Sequence, residues 1–159
     1  MSIISGKEYM DRIDRLNNEV WINGERVTGK LSGHPAFKGI LKSKAALYDL
    51  QHNPQTKDIV TYNDPNNENE RYNFAFKQPQ SLDDLQTRKE ATQLWARKSC
   101  GTIGRSPDYI NTAITTLGAS SAFFGNEFSQ HIKQIYENAR LKDLSFTHTF
   151  INPQVNRSP

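Results

Sequence analysis

Cysteine is nearly absent from this sequence, since Cys100 is the single one among 159 residues. No disulfide can therefore form within the chain, and such cysteine usage is typical of a reducing compartment, so we expect a cytoplasmic protein. No run of about 18 apolar residues is present, which argues against a membrane-spanning helix and a membrane partner. The N-terminus carries charge from Lys7 onward and lacks the long apolar segment of a secretory signal.

Several kinds of binding motif are also missing. The 20 Lys and Arg residues against 17 Asp and Glu give a net charge of +3 without a long basic run, so we expect no nucleic-acid partner. The four histidines are scattered and Cys100 has no nearby second cysteine, so we predict no metal site. For Cys100 itself, a buried small side chain near a helix end is the favoured interpretation. A Gly-rich phosphate loop is absent as well.

What is present predicts one mainly α-helical domain. The hydrophobic fraction of 35% and charged fraction of 23% are those of an ordinary globular chain. Ser5 followed by Glu8 predicts a capped first helix, and Asn23-Gly24 predicts a tight hairpin between 20–22 and 25–27. A second hairpin is expected between strands at 58–62 and 71–76.

Four further helices follow from the apolar spacing. One begins after Pro35, and one begins at Ser81 and buries an inner side. Another restarts at Ser106-Pro107-Asp108 and ends near Gly118, and the last begins beyond Gly125. The expected inner residues are Leu82, Leu85, Ala91, Leu94 and Trp95 in the Ser81 helix, and Phe128, Ile132, Ile135, Tyr136 and Ala139 in the last helix. Residues 144–151 alternate and predict a terminal strand.

The run from Arg105 to Tyr109 is the most informative for chemistry. Arg105 precedes the predicted cap Ser106, and Tyr109 falls in the first turn, so both can reach the helix N-terminus. Free backbone N–H groups and the helix dipole favour an anion there, such as a phenolate or carboxylate. The alternative is that Arg105 pairs with Asp108 while Tyr109 belongs to the core.

His148 is a second candidate, in an otherwise apolar stretch before Asn152-Pro153. A lone histidine there is usually a satisfied core residue. However, a side chain that titrates near neutral pH can also accept a proton from a phenol. The residues alone do not connect His148 with Arg105.

Six blocks occur in one order along almost the whole chain: SGKEY at 5–9, VWINGE at 20–25, HPAF at 34–37, LWAR at 94–97, GRSPDY at 104–109 and HTFINPQ at 148–154. This order resembles the N-terminal part of the oxygenase component of the 4-hydroxyphenylacetate 3-hydroxylase family, which are two-component flavin monooxygenases. The resemblance implies an acyl-CoA dehydrogenase-like N-terminal helical domain over residues 1–143. It also implies that residues 144–159 begin the strand and loop that contact the flavin, ahead of a middle β domain.

The resemblance further implies roles for individual residues. Arg105, Tyr109 and His148 would be catalytic and surround the phenol hydroxyl, and the substrate-binding set would be Arg105, Ser106, Pro107, Asp108, Tyr109 and His148. FAD would contact His148, Thr149, Phe150, Ile151, Gln154, Val155, Asn156 and Arg157. The family usually has Asp where this chain has Asn156, so the flavin mapping departs from the pattern at that position.

The implied chemistry is ortho-hydroxylation of a small phenolic substrate with O₂ as co-substrate. A separate NADH-dependent flavin reductase would supply FAD in its reduced form, FADH₂. A related dehydratase holds an iron–sulfur cluster partly through a Cys-x₃-Cys pair, but here Gly104 stands where the second cysteine would be. The resemblance therefore favours the hydroxylase branch.

Family oxygenases continue for several hundred residues beyond this region. We therefore expect a truncated or split product that is inactive alone, and that pairs with the remaining oxygenase domains or forms a homo-oligomer. The alternative is a non-catalytic helical module for binding or assembly. In such a free module the apolar strand near the C-terminus would be exposed and prone to aggregation.

Overall fold

The computed structural model describes residues 3–65, 67–101 and 108–146, with the backbone alone at Asp108. These ranges contain six α-helices, three 3₁₀ helices and two small antiparallel hairpins. The helices are α1 (Gly6–Arg15), α2 (Lys38–Asp49), α3 (Lys57–Val60), α4 (Leu82–Lys98), α5 (Asp108–Ala119) and α6 (Asn126–Leu141). The strands are β1 (Trp21–Ile22), β2 (Glu25–Arg26), β3 (Thr61–Asp64) and β4 (Asn67–Asn73). The predicted mainly α fold with two hairpins is confirmed.

The first helix begins as its sequence predicts. The Ser5 hydroxyl accepts from the Glu8 backbone N–H, and the Glu8 carboxylate accepts from the Ser5 backbone N–H at 2.7 Å, which completes a capping box. Tyr9 on the buried side of α1 stacks on Tyr48 of α2 with ring centroids 4.8 Å apart. This aromatic pair joins the first two helices.

The first hairpin is also confirmed. Trp21 pairs with Arg26 and Ile22 with Glu25, while Asn23 and Gly24 turn with φ of 51° and 84°. Two consecutive positive φ angles are those of the tight hairpin turn that Asn-Gly favours, because neither residue pays a large steric cost there.

The second hairpin closes around a shorter loop than predicted, because its first strand begins later in the chain and its second strand begins earlier. The expected strand 58–62 is wrong in its first part, since residues 57–60 form the short helix α3 and the strand begins at Thr61. Val60 is fully buried in a cluster that includes Leu47 and Trp95, so packing overrides its β propensity. The partner strand ends at Asn73, and Phe74–Phe76 form a buried 3₁₀ turn.

Helix α4 is capped by Ser81 and Asp84, and Ala91 and Trp95 are buried as predicted. The prediction is wrong for Leu82 and Leu85, whose exposed fractions are 83% and 52%. The fully buried residues of α4 both lie in its C-terminal half, so the apolar spacing alone overestimates how far its buried side extends. Cys100, predicted to be buried, is exposed just beyond the helix end.

Helices α5 and α6 pack against the Phe74–Phe76 turn. Phe76, Tyr136 and Ala139 form a buried cluster, and the Tyr136 hydroxyl donates to the Phe76 carbonyl oxygen at 2.8 Å. On α6 the prediction is wrong for Phe128 and Ile135, which are exposed. The inner side of this helix is therefore narrower than its apolar spacing suggested.

The predicted terminal strand lies outside the described residues from Thr147 onward, and residues 144–146 form neither helix nor strand. Within the described part of the chain, no helix is both long and apolar enough to cross a membrane.

Candidate functional site

Tyr109 is the one predicted catalytic residue whose side chain is described. It is the second residue of α5 and is 46% exposed, so the alternative that placed it in the core is wrong. Arg105, Ser106 and Pro107 lie outside the described residues, as do the Asp108 side chain and all residues from His148 to Arg157. Their convergence on one cavity stays a prediction.

The structure does connect the described neighbours of the two predicted site segments. Asn111, one turn into α5, donates from Nδ2 to the Leu144 carbonyl oxygen at 3.2 Å. Leu144 begins the segment that leads to His148. The helix that carries Tyr109 and the chain that leads to His148 are therefore in direct contact.

The residues after Leu144 are held as well. Phe146 and Ile114 of α5 both pack against the buried cluster of Phe76, Tyr136 and Ala139. The Tyr48 hydroxyl donates to the Asp143 carbonyl oxygen at 3.3 Å. Burial raises the pKa of Tyr48, and the neighbouring Ser145 side chain offsets part of that rise. Helix α5 and the residues just after Leu144 therefore share one packed core.

Asp143 is the main polar anchor of this region. Its side chain is 1% exposed and accepts three hydrogen bonds: from the Ile4 backbone N–H at 3.1 Å, from Gln51 Nε2 at 2.7 Å and from Asn73 Nδ2 at 3.4 Å. Its backbone φ is +47°, a conformation that Asp tolerates better than most residues. The anchor therefore ties the end of α6 to the N-terminus, to α2 and to β4.

The carboxyl of Asp143 sits where a charge is costly. Burial raises its pKa to about 6, and the hydrogen bonds from Gln51, Ile4 and Asn73 and the charge of Arg12 offset only part of that effect. Arg12 itself donates to the backbone carbonyl oxygens of Lys142 and Asp143. The group consequently titrates much closer to neutral pH than an ordinary aspartate.

Sequence reasoning did not find Asn111, Gln51 or Asp143. Asn111 and Gln51 carry no local signal, because their burial depends on contacts with distant segments. Asp143 did offer one, since an acid just after a helix C-terminus opposes the dipole and calls for a compensating contact.

A metal centre has no support from the described ranges, in which no group of three or more His, Cys, Asp or Glu side chains could hold an ion. The residues predicted to contact FAD include an imidazole, a hydroxyl, two amides and the Arg157 guanidinium. These groups suit the carbonyls and phosphates of a flavin nucleotide. The donor chemistry of the segment therefore fits the cofactor.

Comparison with known proteins places the chain in a family. Residues 5–159 match the family described as 4-hydroxyphenylacetate 3-hydroxylase N terminal, and the chain belongs to it. A probable 4-hydroxyphenylacetate 3-monooxygenase of Bacillus subtilis is 45% identical over 161 residues, covering 99% of this chain and 33% of the relative. The 4-hydroxyphenylacetate 3-monooxygenase oxygenase component of Thermus thermophilus is 39% identical, covering 97% of this chain and 31% of the relative. The chain thus spans about a third of these relatives and corresponds to their N-terminal part.

Solved structures agree with this assignment. A crystal structure of the oxygenase component of 4-hydroxyphenylacetate 3-monooxygenase superposes with a TM-score of 0.89 at 39% identity, over 98% of this chain and 32% of that one. One complexed with FAD and 4-hydroxyphenylacetate superposes with a TM-score of 0.88 at 38% identity, over 96% of this chain and 31% of that one. An archaeal 4-hydroxybutyryl-CoA dehydratase shares the fold at 16% identity with a TM-score of 0.74. The predicted N-terminal helical domain of a flavin-dependent monooxygenase family is confirmed.

Proposed function

We propose that this chain supplies the phenol-binding part of a reduced-flavin-dependent aromatic ortho-hydroxylase that acts on 4-hydroxyphenylacetate or a similar phenol. Residues 1–143 would form the helical domain, and residues 144–159 would begin the strand and loop along the flavin. The observation that carries the proposal is the 3.2 Å contact between Asn111 and Leu144, because it brings the chain leading to His148 onto the helix of Tyr109.

The residues of this site would prepare the phenol for attack. The His148 imidazole would accept the phenol proton, while Arg105 and the N-terminus of α5 would stabilise the developing phenolate. Tyr109 would hold the phenol oxygen by a hydrogen bond, for which its exposed position at the helix start is suitable. Deprotonation raises electron density at the ortho carbon, where the new C–O bond forms.

The flavin would lie along residues 148–157. When bound in its reduced form, FAD would supply two electrons to O₂, so that one oxygen atom enters the ring and the other leaves as water. Phe150 and Ile151 would help to exclude water, and Gln154, Asn156 and Arg157 would bind polar groups of the cofactor. A relative of known structure binds both FAD and 4-hydroxyphenylacetate, which supports this choice of ligands.

Two further components follow from this chemistry. A separate NADH-dependent reductase in the cytoplasm would provide FADH₂ by diffusion. The other domains found in the longer relatives would complete the flavin site and the oligomer.

A chimera tests the proposal directly. Residues 1–159 are joined to the remaining two thirds of the Bacillus subtilis relative, and the product is supplied with NADH, FAD, a flavin reductase, ¹⁸O₂ and 4-hydroxyphenylacetate. We expect the ring-hydroxylated product to contain one ¹⁸O atom. Loss of a general base typically costs about 10²-fold to 10⁴-fold in rate, so His148→Ala should lower kcat by a factor in this range.

A tyrosine pair provides the matched control. Tyr109→Phe should lower kcat/KM, whereas Tyr62→Phe removes a hydroxyl from β3, outside the proposed site, and should leave it unchanged. A folded chimera that forms no labelled product, or one in which His148→Ala remains fully active, would contradict the proposal.

A further inference from the structure

We propose that Asn111 is a positioning residue that fixes the segment carrying His148 at the correct distance from the start of α5. This inference rests on the proposed function, because it assigns to Asn111 the alignment of the two halves of that site. Asn111 itself touches neither substrate nor cofactor in this role.

The position of Asn111 allows its hydrogen bond to constrain both the start of α5 and the residues that lead to His148. Its side chain is 1% exposed, and its Nδ2 donates to the Leu144 carbonyl oxygen at 3.2 Å. Tyr109 lies two residues before it on the same helix, and His148 lies four residues beyond Leu144. Four extended residues span at most about 14 Å, so the fixed carbonyl limits where the imidazole can go.

The unpaired amide oxygen of Asn111 indicates that the Nδ2 donor is specifically required. Asn111 Oδ1 is buried and has no hydrogen-bond partner within the described ranges. A buried amide oxygen without a partner is costly, and an apolar side chain of similar shape would avoid that cost. Asn occupies this position nevertheless. We infer that the hydrogen bond from its Nδ2 to the tail, meaning the residues from Leu144 onward, offsets the cost of the unpaired oxygen.

The other contacts of residues 144–146 do not set their register against α5, since the Leu144 N–H donates to the Ala139 carbonyl oxygen of α6 at 3.0 Å. Phe146 packs against an apolar cluster, which is a non-directional contact that tolerates small shifts. Asp143 is fixed firmly, but its bonds reach the N-terminus, α2 and β4 and none of them reaches α5. Asn111 thus provides a directional hydrogen bond that joins α5 to Leu144.

Thr115 is a natural control, because it lies one turn further along the same buried side of α5. It is 3% exposed and donates to the Ala75 carbonyl oxygen at 3.1 Å and to the Asn111 carbonyl oxygen at 2.7 Å. Neither bond involves the tail. Thr115→Val therefore removes a buried polar group from the same helix without releasing Leu144.

The test uses nuclear magnetic resonance on the 159-residue chain. In the unaltered protein we expect nuclear Overhauser effects between the rings of His148 and Tyr109, and slow amide exchange at Ser145 and Phe146. In Asn111→Leu, the ring contacts should disappear and exchange at the two amides should accelerate about fivefold, the factor that corresponds to one net hydrogen bond. Thr115→Val should preserve both signals. If Asn111→Leu does not fold, Asn111→Ala is measured in the same way.

The outcomes separate the two proposals. Ring contacts and slow exchange that persist in the Asn111 variants would overturn the positioning role and leave the proposed function intact. Ring contacts missing from the unaltered protein would overturn the proposed site and the positioning role together. In the chimera, Asn111→Leu should lower kcat at least tenfold with little change in KM, whereas an equal loss in Thr115→Val would also overturn the positioning role.

Discussion

Gln51 Nε2 donates to Asp143 Oδ2 at 2.7 Å, across a sequence separation of 92 residues. The bond joins the chain just after α2 to the chain just after α6, and both side chains are buried. The Ile4 and Asn73 donors meet the same carboxyl, so four separate parts of the chain depend on one side chain. Loss of this carboxyl should therefore lower the stability of the whole described domain.

Replacing Asp143 tests this dependence. Asp143→Ala would leave the Ile4 N–H, Gln51 Nε2 and Asn73 Nδ2 without their acceptor, and would place Ala at a positive φ. We expect the free energy of unfolding to fall by about 3 kcal/mol, measured by urea denaturation. Asp143→Asn tolerates the same φ and keeps one acceptor oxygen, so its loss should be smaller. Equal stability of Asp143→Ala and the unaltered chain would refute the anchor.

Stability should also depend on pH through Asp143. Its folded pKa of about 6 lies above the ordinary value of 3.8, so the folded state binds the proton more tightly than the unfolded state. The associated stabilisation is complete below about pH 4 and is lost as the pH rises through about 6, up to about 3 kcal/mol. Urea titrations between pH 4.5 and 7.5 should show this decline, and Asp143→Asn should lack it.

That pH range distinguishes Asp143 from carboxylates whose pKa is lowered in the folded state. Asp84 pairs with Lys77 at 2.5 Å, and its pKa is lowered to about 2, so its contribution is lost only as the pH falls well below 4. A decline shared equally by the unaltered chain and Asp143→Asn would show that another group is responsible.

Two helical glycines offer a matched pair for packing. A Cβ at Gly118 of α5 would lie 2.6 Å from Tyr136 Cγ, and the Tyr136 ring is held by its bond to Phe76. A Cβ at Gly39 of α2 would meet nothing within 4 Å. We expect Gly118→Ala to destabilise by about 1 to 3 kcal/mol and Gly39→Ala to stabilise by about 0.5 kcal/mol, by thermal unfolding. A change in stability of the same sign in both variants would contradict the packing of α5 on α6.

The parts of the fold that the sequence predicts correctly are local. The capping box of Ser5 and Glu8 and the turn of Asn23-Gly24 depend on neighbours in the chain, so they can be identified from residue types. The high β propensity of Val60 predicts a strand, whereas in the structure Val60 packs against Leu47 and Trp95 and ends a short helix. Exposed Leu82 and Phe128 show that apolar spacing identifies a side of a helix but not how far the core extends along it.

The candidate site likewise has a part that local sequence predicts and a part that depends on long-range contacts. The position of Tyr109 at the start of α5 followed from Ser106-Pro107-Asp108, which is local chemistry. The contact of Asn111 with Leu144 bridges 33 residues, and nothing in either neighbourhood specifies it. Such contacts need the folded arrangement of helices before they can be inferred.

The hydrogen bond from the Ile4 backbone N–H to the Asp143 carboxylate places the residues just before α1 beside the residues just after α6. A fluorophore attached to the N-terminal residues would therefore start next to the polypeptide that runs toward His148. If the flavin binds along residues 148–157 as proposed, fluorescence at that end should change when FAD is added. A bulky affinity tag is better placed in the Asn23-Gly24 hairpin loop, where a Cβ at Gly24 would meet no neighbour.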